Sequence, residues 1–593
     1  MPTRKGPLSR RHEEEALPFP FAVAMRRTLA NGYTRTMFRA DALAGIVVGI
    51  VALPLSMALA VAAGAPPQHG LYTAIVAGIV VALSGGSKHQ VTGPTAAFVV
   101  VLAPIVTRFG VEGLLVAGLM AGVLLVIMGL ARLGKLIEFI PYPVTTGFTA
   151  GIATVIATLQ LKDCFGLTTI GAPESYFGKV AALWRARGTA SLAEVVVTVS
   201  TLTLLLAIPK VTKKIPAPLL AISFVAIAAT IATHLFPTVR IATIGSRFTS
   251  VVGGHAYAGI PPVPPLPRLP WGARGLSFAT LRELGGAALA IAMLGAIESL
   301  LSAVIADGVT GKKHDPDSEL VGLGLGNIIA PFFGGIAATG ALARTATNIR
   351  AGAVSPIACV VHSLFVLAAI LLGSGLVAYI PMASLAALLL LVAWNMSEVR
   401  HFGHIVKVAP RGDVLVLVTC FVLTVAFDMV VAVSVGVVLA ALLFMRRMAE
   451  LTSSRLLDTP EGDESRKLAK GITLYEIAGP LFFGAAQRAI ASIARVGADS
   501  RVVVLALGSV PVIDGSGLVA LESACEKLQR AGKIVVLTGP LPEPREVFVK
   551  ANLEVANDRV FIVPTLQEGL QLASDLILLT PQGDRAWPEE PRG

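Results

Sequence analysis

Two short Thr-Gly motifs, one in each half of the chain, contain the residues best suited to bind a small charged molecule. Residues 92–96 read TGPTA and residues 339–345 read TGALART, and each motif follows a Gly-Gly pair. A helix that begins after such a break exposes unpaired N–H groups and carries roughly half a positive charge at its N-terminus. Threonine hydroxyls would add further donors. We therefore expect an anion site made of Thr92, Gly93, Pro94, Thr95, Ala96, Thr339, Gly340, Ala343, Arg344 and Thr345.

Arg344 would lie in the first turn of the second of these helices. An arginine inside a membrane is energetically expensive and usually functional, and its planar guanidinium matches a carboxylate or a sulfate. The alternative is that Arg344 pairs with an acid or a backbone carbonyl. Ser56, close to Pro54 in an earlier apolar helix, either lines the same site or belongs to a tolerated kink.

Glu298 is the only acidic residue between Glu283 and Asp307, and Ser302 follows it by about one helical turn. Desolvation favours the protonated form of a buried carboxylate, so Glu298 could carry a proton at near-neutral pH. We expect Glu298 and Ser302 to bind the ion that couples to anion movement, either a proton or sodium. The alternative is that Glu298 simply neutralises Arg344.

The remaining polar residues predict no metal site, cofactor or enzyme chemistry. The four cysteines form no CxxC pair. Four histidines fit no ligand spacing and are expected in loops or as hydrogen-bonded core residues, namely His69, His89, His314 and His362. No phosphate-binding loop, nucleophile elbow or nucleic-acid motif occurs in a suitable context. We therefore expect that the chain is not an enzyme and binds no nucleic acid.

The elements that position these residues are predicted to lie in a membrane. The 593 residues have a net charge of +11, a hydrophobic fraction of 54%, a charged fraction of only 14% and a mean hydropathy of +0.76. A soluble protein carries about 25% charged residues. Residues 42–87 and 351–397 contain no Asp, Glu, Lys or Arg, and one helical crossing needs about 20 apolar residues. Because only helices suit such unbroken apolar runs, we expect a polytopic α-helical protein with membrane lipid around it.

Fourteen apolar segments are predicted to be helices, seven in each half. They are residues 43–63, 70–84, 95–106, 114–130, 139–161, 195–209, 215–236, 285–306, 320–336, 340–349, 353–371, 376–396, 414–427 and 429–444. Each Thr-Gly motif follows the second helix of its half, and an odd number of helices per half inverts one copy relative to the other. Interrupted segments at corresponding positions of inverted repeats are typical of the midplane site of a transporter.

Basic residues in short loops predict the orientation and the domain plan. By the positive-inside rule, the cytoplasmic side carries the N-terminal arm and Lys210, Lys213, Lys214, Lys312, Lys313, Arg400, Lys407, Arg411, Arg446 and Arg447. After residue 444 strand patterns (472–477, 501–507, 533–537) alternate with helical ones (486–495, 518–528). We expect an N-terminal cytosolic arm (1–40), a membrane domain (41–447), a linker (448–470), a cytosolic α/β domain (471–580) and a tail (581–593).

Long, ordered motifs after residue 40 resemble the SulP family of anion transporters with a C-terminal STAS domain. The matching blocks are residues 41–45, 90–95, 243–248, 295–301, 306–311, 324–335 and 341–350. The resemblance implies fourteen transmembrane helices in 7+7 inverted repeats, with UraA-like core and gate domains, and a homodimer. It also implies that Arg344 is the anion-site arginine, and that Glu298 and Ser302 occupy positions that help hold sodium in some relatives.

The resemblance leaves several substrates open. The middle blocks and residues 391–398 are closest to the bacterial C4-dicarboxylate transporters of the family, which implies proton-coupled uptake of succinate, fumarate or aspartate across the bacterial inner membrane. The alternatives are a sulfate, bicarbonate or chloride transporter, sodium-coupled in some relatives, a uracil or xanthine permease, and an anion channel. The dicarboxylate branch also implies acyl carrier protein as a partner of the STAS domain.

Ser516 is a candidate regulatory residue in the C-terminal domain. It lies in residues 512–517 (VIDGSG), which match the loop that holds a phosphorylatable serine in STAS relatives. A phosphate there would be stabilised by the exposed amides of the helix that follows. The alternative is that Ser516 serves as the N-cap of that helix.

Overall fold

The structure is a computed structural model that describes most of the chain. The described residues are 20–135, 140–169, 171, 173, 175–212, 215–252, 254–272, 275–427, 429–451, 453–457, 468–482, 500–553 and 559–579. Several predicted features therefore lie outside the described residues, wholly or in part: the N-terminal arm, Lys213, Lys214, the linker, the helix at 486–495 and the tail. The chain divides into two compact units, Met1–Val438 and Leu439–Gly593.

The first half of the first unit is a series of apolar helices joined by short connections. Proline or a capping hydroxyl begins several of them; the Thr34 side chain, for example, accepts a hydrogen bond from the Met37 N–H. Gly110, with φ 72° and ψ −177°, divides α4 into two helices. The elements are α1 (Val23–Ala30), α2 (Arg35–Ala62), α3 (Pro67–Ser84), β1 (Thr92–Gly93), α4 (Ala96–Leu130), α5 (Tyr142–Cys164), α6 (Tyr176–Arg185), α7 (Leu192–Val211) and α8 (Ala217–Leu235).

The second half repeats this plan after a loop that holds a short helix and a hairpin. The elements are α9 (Ile244–Arg247), β2 (Thr249–Val252), β3 (His255–Ala258), α10 (Phe278–Thr310), α11 (Pro316–Ile329), β4 (Thr339–Gly340), α12 (Leu342–Arg350), α13 (Ile357–Val377), α14 (Met382–Ser397), α15 (Val399–Val408), α16 (Arg411–Ala426) and α17 (Met429–Leu451). Within the described ranges, fourteen helical segments correspond in order to the fourteen predicted ones. Ten helical stretches of the described residues are long and apolar enough to span a membrane, judged by length and composition.

One predicted helix is too long at its C-terminal end. Residues 320–336 were expected to be helical throughout, but α11 ends at Ile329 and a single 3₁₀ turn, Ala330–Phe333, follows it. Pro331 lacks a backbone donor, and Gly334 takes the left-handed conformation with φ 76°. Both residues are ordinary helix terminators. The chain therefore leaves the helix after Phe333 and continues to β4.

Close helix crossings bring the two halves together. A Cβ on Gly45 of α2 would lie 2.5 Å from the Ala358 carbonyl oxygen of α13. A Cβ on Gly122 of α4 would lie 2.7 Å from the Gly324 carbonyl oxygen of α11. Real Cβ atoms do not approach so closely, so glycine is needed at both crossings. Packing at this distance holds the short strands β1 and β4 between the paired helices.

The second unit contains a five-stranded sheet in the order β5-β6-β7-β8-β9. β5 is antiparallel to β6, and the other neighbours are parallel. Apolar strands such as β7 pack on both faces: Leu505 contacts the layer that contains Leu521, and Val504 contacts the layer that contains Ala573. The elements are β5 (Ser453–Leu457), β6 (Ile472–Ala478), β7 (Val502–Ser509), α18 (Gly515–Arg530), β8 (Ile534–Thr538), α19 (Pro542–Lys550), β9 (Val560–Val563) and α20 (Leu566–Leu579).

Candidate functional site

The two Thr-Gly motifs meet in the first unit. Strands β1 and β4 pair antiparallel, with Thr92 opposite Gly340 and Gly93 opposite Thr339. Helix α4 begins three residues after Gly93, and α12 begins directly after Ala341. Neither helix has a side-chain cap among the described residues. The first-turn N–H groups of both helices therefore keep their capacity to bind an anion.

Arg344 lies between these two helix ends and is 1% exposed. Its Nη2 donates a hydrogen bond to the Pro94 carbonyl oxygen at 2.9 Å, so the predicted pairing with a carbonyl is present for one nitrogen. Nε and Nη1 have no hydrogen-bond partner in the described part of the chain. The guanidinium also rests against Gly93, where no Cβ occupies the space. Two buried donors of a permanently charged group thus remain for a ligand.

Glu298 of α10 joins the same cluster through Thr95. The Thr95 hydroxyl donates to Glu298 Oε2 at 2.8 Å, while Glu298 itself stays partly exposed. Thr95 is the N-cap residue of α4, yet its side chain does not cap that helix. The carboxylate and the guanidinium therefore contact the adjacent residues Thr95 and Pro94, and the structure brings together the predicted anion group and the predicted ion-coupling group.

The hydroxyl groups of Ser302 and Thr345 form a hydrogen-bonded pair next to the paired strands β1 and β4. Ser302 Oγ donates to Thr345 Oγ1 at 3.3 Å, and Thr345 Oγ1 also accepts the Val91 N–H at 3.1 Å. Thr339 Oγ1 donates to the Gly295 carbonyl oxygen at 3.0 Å. These hydrogen bonds hold β1 against α12 and β4 against α10.

The other predicted residues occupy more varied positions. Thr92 Oγ1 is buried and lacks a partner among the described residues, Ala96 is buried, and Ala343 is exposed. Ser56 is fully buried where α2 crosses α3, with its carbonyl oxygen against Gly70. Its hydroxyl also lacks a described partner. Ser56 thus lies where α2 crosses α3 at Gly70. Gly70 is about one helical turn from Ala74, and Ala74 packs on Gly93.

A buried amide and carboxylate behind Gly340 were missed by the sequence reasoning. Gln90 Nε2 donates to Ser299 Oγ at 2.5 Å and to Glu319 Oε1 at 2.7 Å. Glu319 Oε2 accepts the N–H groups of Gly86 and Ser87, each at 2.9 Å. This network ties the segment before β1 to α10 and α11. A sequence signal was present, because Glu319 lies in the first turn of α11, directly before a mostly apolar run.

The histidines divide into two groups. His69 Nδ1 is 2.6 Å from the Gly334 carbonyl oxygen, and His314 Nδ1 is 2.7 Å from Asp307 Oδ2, as expected for hydrogen-bonded residues. His89 and His362 are buried, but their ring nitrogens lack hydrogen-bond partners in the described ranges. His89 lies in the loop between α3 and β1, as expected, so the expectation of loop or hydrogen-bonded histidines is wrong only for His362 of α13. The environment of His362 depends on helix packing, which sequence spacing does not show.

In the second unit, Ser516 is exposed at the start of α18. The N-cap of that helix is Asp514, whose Oδ1 accepts the Gly517 N–H at 2.7 Å. The alternative that Ser516 is the N-cap is therefore wrong. Both residue types cap helices well, and the helix begins two residues earlier than that alternative required.

Comparison with known proteins gives consistent matches along the chain. The sulfate permease family matches residues 38–420, and the STAS domain matches residues 466–569. The protein named "Putative sulfate transporter YvdB" of Bacillus subtilis (strain 168) is 40% identical over 524 residues, which cover 88% of this chain and 95% of that protein. The bicarbonate transporter BicA of Picosynechococcus sp. is 30% identical over 541 residues, covering 87% and 91%.

Solved structures share the fold. The structure of SLC26A9 aligns with a TM-score of 0.79 at 17% identity, covering 94% of this chain and 93% of that chain. The transmembrane domain of a cyanobacterial BicA aligns with a TM-score of 0.57 at 25% identity, covering 69% and 98%. The chain therefore belongs to the sulfate permease (SulP) family of membrane anion transporters, with the SLC26 transmembrane fold and a C-terminal STAS domain.

Proposed function

We propose that this chain carries a divalent oxyanion together with a proton across the bacterial inner membrane, with the anion bound between the N-termini of α4 and α12. The observation that supports this site is Arg344, buried between the two helix ends with Nε and Nη1 unpartnered among the described residues. A buried cation with free donors requires a counter-charge. An anion supplied from solution would meet this need during each transport cycle.

Charge balance favours a dianion with a proton. Each helix end contributes roughly half a positive charge, and Arg344 adds one, so the cluster carries about +2 when Glu298 is protonated. A dianion neutralises that charge. When Glu298 is ionised the cluster carries about +1, which matches a monoanion. Loading a dianion and a proton together therefore leaves less buried charge than loading the dianion alone.

Two dianion classes fit this arrangement. Sulfate is supported by the name of the relative at 40% identity. C4-dicarboxylates such as succinate and fumarate are supported by the resemblance of residues 391–398 and the middle motif blocks to the dicarboxylate branch of the family. Aspartate has the same two carboxylates, but its ammonium group makes it a net monoanion. Both classes present the planar or tetrahedral oxygen pairs that a guanidinium binds in a bidentate manner. We place sulfate first because the overall similarity to that relative covers nearly the whole chain.

The second candidate is sodium-coupled bicarbonate transport. Similarity to BicA supports it, as does the presence of an acid and a hydroxyl residue at Glu298 and Ser302. The geometry supports it less well. The Ser302 hydroxyl donates to Thr345 instead of joining Glu298, so the two predicted ion ligands are not combined into one oxygen cluster. Chloride is a weaker candidate on the same charge argument.

The remaining parts of the proposal follow the family plan. The helices around the site, α2 to α4 and α10 to α13, would form the core domain that moves against a gate domain formed by the other long helices. We propose a homodimer with the N-terminus and the STAS domain in the cytoplasm. Ser516 is exposed and could accept a phosphate, and acyl carrier protein remains the proposed partner of the STAS domain.

Uptake into proteoliposomes tests the function. Radiolabelled sulfate, succinate and bicarbonate would be offered separately, under an imposed pH gradient and then under a sodium gradient. We expect accumulation of a dianion that follows the pH gradient. Arg344→Ala should abolish accumulation, while Arg350→Ala, which removes an exposed arginine from the end of the same helix, should not.

Glu298→Gln should retain binding of the anion but lose the response to the pH gradient. Bicarbonate accumulation that follows sodium, with no sulfate or succinate uptake, would refute the dianion proposal. Full transport by folded Arg344→Ala protein would refute the site.

A further inference from the structure

Helix α15 is amphipathic and is held at the end of the membrane-spanning bundle by its connections. It follows α14 after one residue, Glu398, and α16 begins two residues after its C-cap. Glu398 has φ 40° and ψ 42°, a left-handed conformation that costs energy for a non-glycine residue. This residue breaks the helix and turns α15 away from α14. Both neighbours are apolar helices, so α15 cannot leave the membrane surface.

One face of α15 packs on the protein. The Phe402 ring lies 5.7 Å from the Phe421 ring of α16, and the His401 ring lies 5.4 Å from the Tyr142 ring of α5, both edge to face. Ile405 is buried on the same side. These contacts fix the rotation of the helix about its axis and therefore determine which residues face outward.

The opposite face carries basic residues that continue onto the next helix, and we define them together as the basic stripe: Arg400, His404, Lys407 and Arg411. The first three are spaced four and three residues apart, which places them along one line of α15. Arg411 is the first residue of α16, directly after the connection. All four are exposed, and the described part of the chain shows no ion pair for any of them. The flanking acids, Glu398 and Asp413, lie at the two ends of the segment and not between the stripe residues.

Exposed valines border the basic stripe. Val399, Val406 and Val408 are 53%, 42% and 69% exposed, respectively. An apolar border beside a basic face is the pattern of a helix that lies in the membrane interface, with its apolar residues among acyl chains and its cations at the level of the phosphates. Basic residues next to the cytoplasmic ends of membrane helices attract anionic lipids.

We propose that the basic stripe, on α15 and the first residue of α16, is a binding surface for the headgroups of anionic phospholipids. The occupant is a lipid phosphate, because the stripe offers three permanent cations at the depth where headgroups lie, beside apolar residues that suit the attached chains. The arginines can contact phosphate oxygens in a bidentate manner, and the lysine supplies a point charge. This surface is separate from the anion site and does not depend on which anion is carried.

Trp394, 67% exposed one turn before Glu398, provides a reporter for the test. The full-length chain, with its other tryptophans replaced by phenylalanine, would be placed in nanodiscs that contain brominated phosphatidylglycerol or brominated phosphatidylcholine. We expect the anionic lipid to quench Trp394 at a several-fold lower mole fraction. Electrostatic attraction to the three permanent cations should produce this preference at low salt, and high salt should remove it.

Three variants complete the design. Arg400→Ala/Lys407→Ala/Arg411→Ala should quench equally with both lipids. The charge-preserving variant Arg400→Lys/Lys407→Arg/Arg411→Lys should keep the preference, which separates charge from misfolding. Lys312→Ala/Lys313→Ala removes two exposed lysines from another loop and should change nothing. Equal quenching by both lipids in the parent chain, or an unchanged preference in the triple alanine variant, would overturn the proposal.

Discussion

Gly93→Ala is the sharpest test of how Arg344 is held. The Gly93 backbone does not have a positive φ, so alanine adds volume without backbone strain. Its Cβ would lie 2.4 Å from Arg344 Nη1, whereas nonbonded atoms prefer about 3.5 Å. The guanidinium must therefore withdraw by about 1 Å. The hydrogen bond from Nη2 to the Pro94 carbonyl oxygen, now 2.9 Å, would then exceed the usable range.

The loss can be given a magnitude. A hydrogen bond that involves a charged group contributes about 1.5–3 kcal/mol, and 1.4 kcal/mol corresponds to a factor of ten. Anion affinity should therefore fall by roughly 10- to 100-fold in Gly93→Ala. The lost bond to Pro94 should lower the free energy of unfolding by no more than this amount, because the displaced atom is the end of a flexible side chain. The assay is equilibrium binding of radiolabelled sulfate, with succinate in parallel, to purified protein.

Gly118→Ala is the matched control. This glycine is also buried in α4, but the nearest atoms to its added Cβ are at 3.8 Å, an ordinary contact distance. We expect affinity close to that of the parent chain. Parental affinity in Gly93→Ala, together with an unchanged melting temperature, would refute the argument that Arg344 must occupy the space above Gly93 to bind an anion.

Two further variants and two measurements that concern Cys525 test other parts of the structure. Glu319→Gln should weaken sulfate binding about tenfold, since one amide oxygen cannot replace a carboxylate that accepts from Gly86, Ser87 and Gln90; binding equal to that of Glu450→Gln protein would contradict this. Asp41→Asn should lower stability by about 2–3 kcal/mol, because Asp41 Oδ1 and Oδ2 accept from residues 33, 354 and 355, and thermal melting in detergent measures the loss. Burial raises the pKa of the Cys525 thiol to about 12, so it should resist a thiol reagent at pH 8 until the protein is denatured; rapid labelling of the native chain would show otherwise. As the pH rises above about 9, the unfolded thiol loses its proton first, so the second unit should lose stability progressively between about pH 9 and 12.

The half-helix pair could be predicted from the sequence because its signals are local. Gly-Gly and Gly-Pro pairs are local signals of a helix break, and a Gly-Gly pair after the second helix of each half marked two equivalent breaks. The paired strands then follow from the inverted arrangement, since Gly93 and Gly340 are placed at the same depth. The order and number of the long helices could likewise be predicted from apolar length alone.

The missed features depend on contacts between distant segments. Gln90, Ser299 and Glu319 belong to three elements, and no spacing rule relates them. The same holds for His362, which is buried in α13 and whose ring nitrogens have no hydrogen-bond partner among the described residues. The early end of α11 was different, because Pro331 and Gly334 were visible in the sequence and were outweighed by the apolar run around them.

The link between Thr95 and Glu298 gives a physical reason for coupling a proton to an anion. An N-cap threonine ordinarily accepts an N–H of its own helix, but Thr95 donates to Glu298 instead, so the N–H groups at the start of α4 stay available. An ionised Glu298 competes with an anion for the same positive cluster. Protonation removes that competing charge and lets the carboxyl donate as well as accept. The anion should therefore bind more tightly to the protonated site, and by thermodynamic reciprocity its binding should favour protonation of Glu298.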